Sequence, residues 1–420
     1  MLSVEEALDK ILARFTVLSS ENVSILNSLG QVLSKDVFSS IDVPPADNSA
    51  MDGYAVKSKD TAKASKTNPV ILKVCGSVSA GESFSNSINS GQAVRIMTGA
   101  PIPKGADAVI PFEETDEDSR SLLHSSSNEI GILTEVNTGS DVRPYGQDIQ
   151  NGQLVLKSGK ELRPAEIGVL ASLGLSEITV TRRPKVAILS TGNELIKPGS
   201  EIVSNKIYDS NSYSISSAAL KCGAITQILE IGKDDFNSLT SILNSIDDFD
   251  FLITSAGVSK GDYDIVKDVL KNHGEIDFWS VRMRPAKPLA FGTFITQKGK
   301  SIPHLGLPGN PVSALVAFEQ FGRPSIRKMM GKNHQTRPTI RAVLEDPIYN
   351  GDGRRVFARV IVTKNNEQYK AKLTGHQNSN LLTSMAHANG LAICPENEKI
   401  KNAGETVEVQ MIDWPEEMTL

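Results

Sequence analysis

The chain has 420 residues, 39% apolar and 22% charged, with a formal net charge of −5. At ~100–200 residues per domain that length supports several cores, and the charge excludes a polyanion-binding surface, so nucleic acid is not an expected partner. Cys75, Cys222 and Cys394 stand singly with no CxxC pair, no run approaches the ~20 apolar residues of a membrane span, and MLSVEEALDK has no signal-peptide core; a cytoplasmic protein in a reducing compartment is expected.

Ser3 and Glu6 form a capping box, and Val4, Ala7, Leu8, Ile11, Leu12 and Phe15 mark one face of a first helix. Up to about residue 160, short runs (PVILKV, AVRIMTG, DAVIPFEE, EIGILTEV, QLVLKSG) are split by Gly, Pro, Ser and Asn, the pattern of a β-rich module inserted between helical pieces. DNSAMDGYAV, at 47–56, is too polar for a core strand and has little to pack on within that module. The serine-rich stretch near Ser125 reads as a solvated loop. A helix is expected over 163–174, opened by Pro164 and stopped by Gly174. From Lys185 strands and helices alternate: KVAILS, a helix over Asn211–Lys221, ITQILEIG, a helix over 236–246, DFLITS and a helix over 264–273. That rhythm predicts a doubly wound parallel sheet. After a helical stretch at 311–330, TIRAVLE, RRVFARVIVT, YKAKLT, LAICP and TVEVQMI predict a small closing barrel or sandwich.

Ligands of open α/β sheets bind beyond the carboxyl ends of strands. Three loops qualify: Ser190-Thr191-Gly192-Asn193-Glu194, Ser255-Ala256-Gly257-Val258-Ser259-Lys260-Gly261-Asp262, and Gly306-Leu307-Pro308-Gly309-Asn310-Pro311-Val312-Ser313. Their glycines and hydroxyls let backbone amides approach an anion, and Asn310 as cap with Pro311 behind it leaves the next amides free for phosphate. Glu194 and Asp262 beside such loops repel phosphate unless a cation bridges them, which suggests Mg²⁺. Asp209 in IYDSN is either a helix cap or part of that site. In RMRPAKPLAFG, Arg284 and Lys287 sit on a proline-stiffened turn suited to an oxyanion or, equally, to solvent. Arg354 and Arg359 alternate with apolar residues around Phe357; they either face a cleft or form a solvated strand face, the latter slightly favoured.

DNSAMDGYAV, RIMTGAPIP with Thr98, RPYGQDI with Asp148, STGNEL, GVSKGDYD, RMRPAKPLAFG, GLPGNPVSA and SNLLTSMAHANGL together resemble the molybdopterin molybdenumtransferase (MoeA) family, to which gephyrin's carboxyl-terminal region also belongs. The resemblance runs nearly end to end. Ala256 and Ala286 stand where that family often has glycine, Asn193 where aspartate is frequent, Gln147 where glutamate is frequent, and Arg284 where lysine is common. The resemblance implies four domains: 1–40 with 147–183, a β-rich insert at 41–146, a molybdopterin-binding α/β domain at 184–332 and a carboxyl-terminal β-barrel at 333–420. It implies an elongated homodimer whose cleft pairs one subunit's α/β domain with the other's insert. Asp52, Thr98, Asp148, Glu194 and Asp262 are the implied catalytic residues, Glu194 and Asp262 the Mg²⁺ ligands. The implied reaction is Mg²⁺-dependent: adenylylated molybdopterin and molybdate give molybdenum cofactor and AMP. Transient contact with the molybdopterin adenylyltransferase and with acceptor molybdoenzymes is expected. A tungstate-inserting paralogue and a gephyrin-like scaffold are the alternatives. Removal of residues 335–420 is expected to abolish molybdate insertion and to spare part of the nucleotide-substrate binding.

Overall fold

A computed structural model describes residues 1–123, 128–232, 236–243, 245–256, 269, 274–333, 336–365 and 368–414. The serine-rich stretch around Ser125 and, apart from Val269, the helix expected over 264–273 lie outside those residues. The chain forms two compact units, one of Met1–Val23, Asn27–Ser34 and Ile178–Leu420, the other of Ser24–Leu26 and Lys35–Glu177.

In the first unit, Ile225–Ile228, Lys185–Ser190, Phe251–Ser255 and Ser301–Leu307 run parallel in that spatial order. Strand order reverses at Lys185–Ser190, so the crevice beyond Ser190 lies at a topological switch point. The sheet is not parallel throughout. Pro288–Ile295 pairs antiparallel with Ser301–Leu307, and Gly274–Ser280 antiparallel with Pro288–Ile295 at the edge. The five residues 296–300 that join the first pair are too few for the crossover a parallel connection needs, so a hairpin is the only solution. Half of the segment expected as a stiff turn, RMRPAKPLAFG, is therefore strand.

Alternate residues of the central strands supply two cores. Val186, Ile188, Phe251, Ile253, Leu305 and Leu307 pack with Ala7 and Ile11 of the first helix and with Val312, Val316 and Phe318. Ala187, Leu189 and Leu252 face the other way, onto Leu239 and Leu243 of helix Phe236–Leu243. Cover on both faces explains why these strands read as unbroken apolar runs. The first helix, Val4–Leu12, carries the expected capping box, with the Glu6 amide donating to Ser3 Oγ at 3.0 Å.

The carboxyl-terminal strands close into a small barrel. Arg355–Asn365, Gln368–Leu373, Thr339–Leu344, Thr406–Met411 and Gly390–Cys394 follow one another, and Arg355–Asn365 pairs back onto Gly390–Cys394. Phe357 and Leu391 of this barrel belong to the same apolar cluster as the α/β helices.

The second unit holds a five-stranded sheet in the order Ala108–Pro111, Gly53–Val56, Gln92–Ile96, Val70–Val78, Glu129–Ile132. Here DNSAMDGYAV departs from expectation: all of Gly53–Val56 is buried in the sheet. Gly53 makes this possible, because a Cβ there would lie 1.9 Å from the Ile110 carbonyl oxygen. Among the described residues no helix is long and apolar enough to cross a membrane.

Candidate functional site

A cleft of about 620 Å³ opens at the carboxyl ends of the parallel strands. The three loops singled out from sequence supply its wall: Ser190, Thr191 and Glu194 from the first, Ser255 and Ala256 from the second, Pro308, Gly309, Asn310 and Pro311 from the third. Gly257, Ser259, Gly261 and Asp262 lie outside the described residues.

The floor is a hydroxyl and carboxylate network. Ser190 Oγ donates to Asp209 Oδ1 at 3.0 Å and lies 2.7 Å from Ser212 Oγ. The Ser212 amide donates to the same Asp209 oxygen at 3.0 Å, so Asp209 does cap helix Asn211–Lys221 while also lining the cleft. Ser190, Asp209 and Ser255 are all buried. Sequence reading missed Asn211. Its amide nitrogen donates to Ser255 Oγ at 2.8 Å and to the Gly309 carbonyl at 2.7 Å, tying the second and third loops to the helix start. Its Oδ1 is buried without a partner among the described residues.

Glu194 folds back over its own loop. A Cβ on Gly192 would meet both Glu194 carboxylate oxygens at 2.6 Å. Gly192, at φ +145°, thus makes room for the carboxylate. The third loop differs from expectation. Pro311 does open helix Pro311–Ala317, but the Asn310 side chain makes no capping bond. The Val312 amide, expected free for phosphate, donates to the Ser379 carbonyl at 3.0 Å. Ser313 is buried in the helix.

A second pocket of about 360 Å³ lies where the α/β domain meets the barrel, lined by Arg284, Tyr349, Arg359, Gln377 and Asn378 among others. Arg359 is buried, which overturns the solvated-face reading. A spacing of five puts Arg354 and Arg359 on opposite faces of an extended chain, whereas Arg359 shares its face with buried Phe357. Its guanidinium donates to Ser384 Oγ at 3.1 Å and to the Asn378 and His376 carbonyls at 3.1 and 3.4 Å. All of these acceptors are neutral, and burial pulls the guanidinium down to about 10. Arg284 lies half-buried between this pocket and the exposed Lys287, and its guanidinium donates to the Tyr349 carbonyl. The strand pair Met283–Arg284 on Arg355–Val356 fixes it there. Pro288, one residue past Lys287, lines the larger cleft, so this turn runs from one pocket to the other.

In the second unit the structure brings Asp52 and Thr98 together. The Thr98 amide and hydroxyl donate to Asp52 Oδ1 at 2.7 and 2.9 Å, and these two bonds hold the exposed carboxyl below its usual range. Asp148 is exposed, its amide donating to the Val43 carbonyl at 2.9 Å. Among the described residues no group of three or more His, Cys, Asp or Glu side chains could hold a metal.

A switch-point cleft rich in hydroxyls, next to a buried cation that has no carboxylate partner among the described residues, defines an α/β protein built to take an anionic small molecule. Comparison with known proteins narrows the class. Residues 2–174 match the MoeA N-terminal region (domain I and II), 187–328 a probable molybdopterin binding domain, and 341–412 the MoeA C-terminal region (domain IV). Molybdopterin molybdenumtransferase 2 of Mycobacterium tuberculosis is 37% identical over 92% of this chain and 94% of its own. The molybdopterin molybdenumtransferase of Haemophilus influenzae is 33% identical over 98% of each chain. A molybdopterin biosynthesis MoeA protein of Pyrococcus horikoshii, solved by crystallography, superposes with a TM-score of 0.79 at 32% identity, over 99% of this chain and all of that one. The chain belongs to the molybdopterin molybdenumtransferase (MoeA) family, transferases of molybdenum cofactor biosynthesis.

Proposed function

We propose that this transferase inserts molybdate into adenylylated molybdopterin with release of AMP, in a Mg²⁺-dependent reaction. The observation that carries the reading is the pair of pockets joined by one turn. The larger, hydroxyl-lined cleft has room for a pterin and its pyrophosphate, and the smaller one ends on Arg359, a buried cation whose partners among the described residues are all neutral.

In this reading Thr191 and Ser255 donate to phosphate oxygens while Ser190, its proton given to Asp209, holds the floor of the cleft, and Asn211 Oδ1, buried without a partner among the described residues, accepts from a ligand N–H. Arg284, Lys287 and Arg359 hold the oxyanion beside the substrate's dithiolene sulfurs, Arg359 by a rigid fork of donors. Glu194, in the cradle that Gly192 leaves, suits Mg²⁺, which takes one or two carboxylates and completes its shell with phosphate oxygens and waters. Asp262 is the second carboxylate of this proposal. When bound, the metal supplies Lewis-acid polarisation of the pyrophosphate.

A homodimer belongs to the same reading, with Asp52, Thr98 and Asp148 serving the cleft of a second copy. Phe38 and Leu154, paired across two short strands of the second unit, are 59% and 43% exposed, and Leu26 of that unit is 77% exposed. Apolar side chains left in water to that extent favour self-association. The test is AMP release from adenylylated molybdopterin by the purified chain. AMP is expected only with molybdate and Mg²⁺ together, and Glu194→Gln should raise the Mg²⁺ requirement. Release that ignores molybdate would overturn the reading.

A further inference from the structure

We propose that Asp352 is an internal anion that competes with the incoming oxyanion for Arg284 and Arg354, and so weakens and tunes oxyanion binding. This rests on reading the Arg284–Arg359 pocket as the oxyanion seat.

The three arginines of this region are not equivalent. The Arg359 guanidinium is buried and, among the described residues, bonded only to a hydroxyl and carbonyls. Arg354 grips Asp352 with two donors, Nε at 2.9 Å and Nη2, and the Arg354 amide adds a third bond to the same carboxylate at 3.3 Å. Arg284 reaches the same carboxylate oxygen that the Arg354 guanidinium holds, Nη1 to Oδ2 at 3.8 Å. A single carboxylate oxygen, Oδ2, thus lies between two guanidinium groups, where an oxygen of a tetrahedral dianion could also bind. Asp352 sits on a short turn that leads into strand Arg355–Asn365, with its side chain about one third exposed. Nothing buries it in place, so it can swing into water when a dianion arrives.

The consequence follows from chemistry rather than from fold. Arg359 has already lost its water, so an anion reaching it gains a strong attraction. Two guanidinium groups released from that carboxylate, Arg284 in the pocket wall and Arg354 held to the same carboxylate, would hold a dianion tightly and slow its passage to the dithiolene. A carboxylate that must be displaced from Arg284 and Arg354 subtracts from that affinity without touching Arg359. The rival role, in which Asp352 only holds the two arginines in position, makes its charge an aid to binding. The two roles predict opposite signs.

The experiment titrates molybdate calorimetrically into the full-length protein, wild type beside Asp352→Asn, Asp352→Ser and Arg359→Gln, at low and at high salt. Competition predicts that both Asp352 variants bind molybdate tighter, by roughly fivefold at low salt, with the gain shrinking as salt screens the rim. Sulfate, a dianion of similar shape, should show the same direction. Weaker or unchanged molybdate binding by both variants, with Arg359→Gln still losing it, overturns the competition alone. If the wild type takes up no molybdate and Arg359→Gln behaves identically, the oxyanion reading of the pocket fails, and the competition with it.

Discussion

His304 shows what a single residue can cost in a central strand. It is fully buried on strand Ser301–Leu307, opposite Leu252, and its Nε2 lies 2.9 Å from Thr254 Oγ1 while Nδ1 has no partner among the described residues. Burial disfavours the imidazolium and pulls the ring from 6.5 down to about 3. The sign follows from linkage. Below about 6.5 the unfolded chain binds a proton that the folded chain refuses, so stability falls as pH drops from there toward about 3; above 6.5 the residue contributes no slope. The expected slope from this one group approaches ~1.4 kcal/mol per pH unit. His304→Gln keeps a partner for Thr254 and removes the titration. Urea melts at pH 6.5, 5.5 and 4.5 should show a steeper acid loss for the wild type than for the variant, and parallel curves would show that His304 finds a counter-charge in the fold. Arg359 presents the inverse problem, a charge kept in a dry place, where hydrogen bonds to Ser384, His376 and Asn378 offset part of the cost and the proposed oxyanion would offset more.

At the scale of elements, the departures from the family's glycines become physical statements. Ala256 and Ala286 both adopt left-handed conformations, φ +79° and +73°. For an L-residue that geometry costs ~1–2 kcal/mol. Glycine removes the strain but loses roughly 0.5–1 kcal/mol to chain entropy. Ala256→Gly should therefore stabilise by up to about 1 kcal/mol, read as a higher Tm. Ala286 is different because its methyl is buried in the main core, worth about 0.8 kcal/mol, so Ala286→Gly should come out near neutral. Equal shifts in Tm would contradict this division. Such backbone detail is not legible in sequence, whereas periodicity is: helix Asn211–Lys221 and strand Lys185–Ser190 fall where their patterns end. Strand direction is not encoded in an apolar run, which hid the antiparallel pairings of Pro288–Ile295. The cleft was legible as three loops because each follows or opens a marked element. Asn211 was masked by the more conspicuous Asp209 beside it, and Arg359 with Ser384, 25 residues apart, carries no local pattern.

For the molecule as a whole, the barrel and the α/β domain share a core, and this changes the expected effect of truncation. Phe357 and Leu391 of the barrel are buried in the cluster that holds Phe318, Phe321 and Leu305, with Ile393 and Ile412 packed against it. Polar ties cross the same boundary: Gln320 to Gln410 at 2.8 Å, Arg337 to Glu319 at 2.9 Å, and the Val312 amide to the Ser379 carbonyl at 3.0 Å. Strand Met283–Arg284 has its only pairing partner in the barrel, among the described residues. Deleting residues 335–420 removes all of these at once. Each large buried apolar side chain removed costs ~2–5 kcal/mol, against a total stability of ~5–15 kcal/mol for a typical domain. The truncated chain is therefore expected to lose cooperative folding of the α/β domain as well as molybdate insertion, rather than retain part of its nucleotide-substrate binding. Thermal melts followed by near-ultraviolet circular dichroism would decide it, with Arg359→Gln in the full chain as the comparison that removes the cation and leaves the shared core. A sharp melt for the truncation at a Tm near that of the intact chain would show that the barrel is an appendage to the α/β core and not part of it.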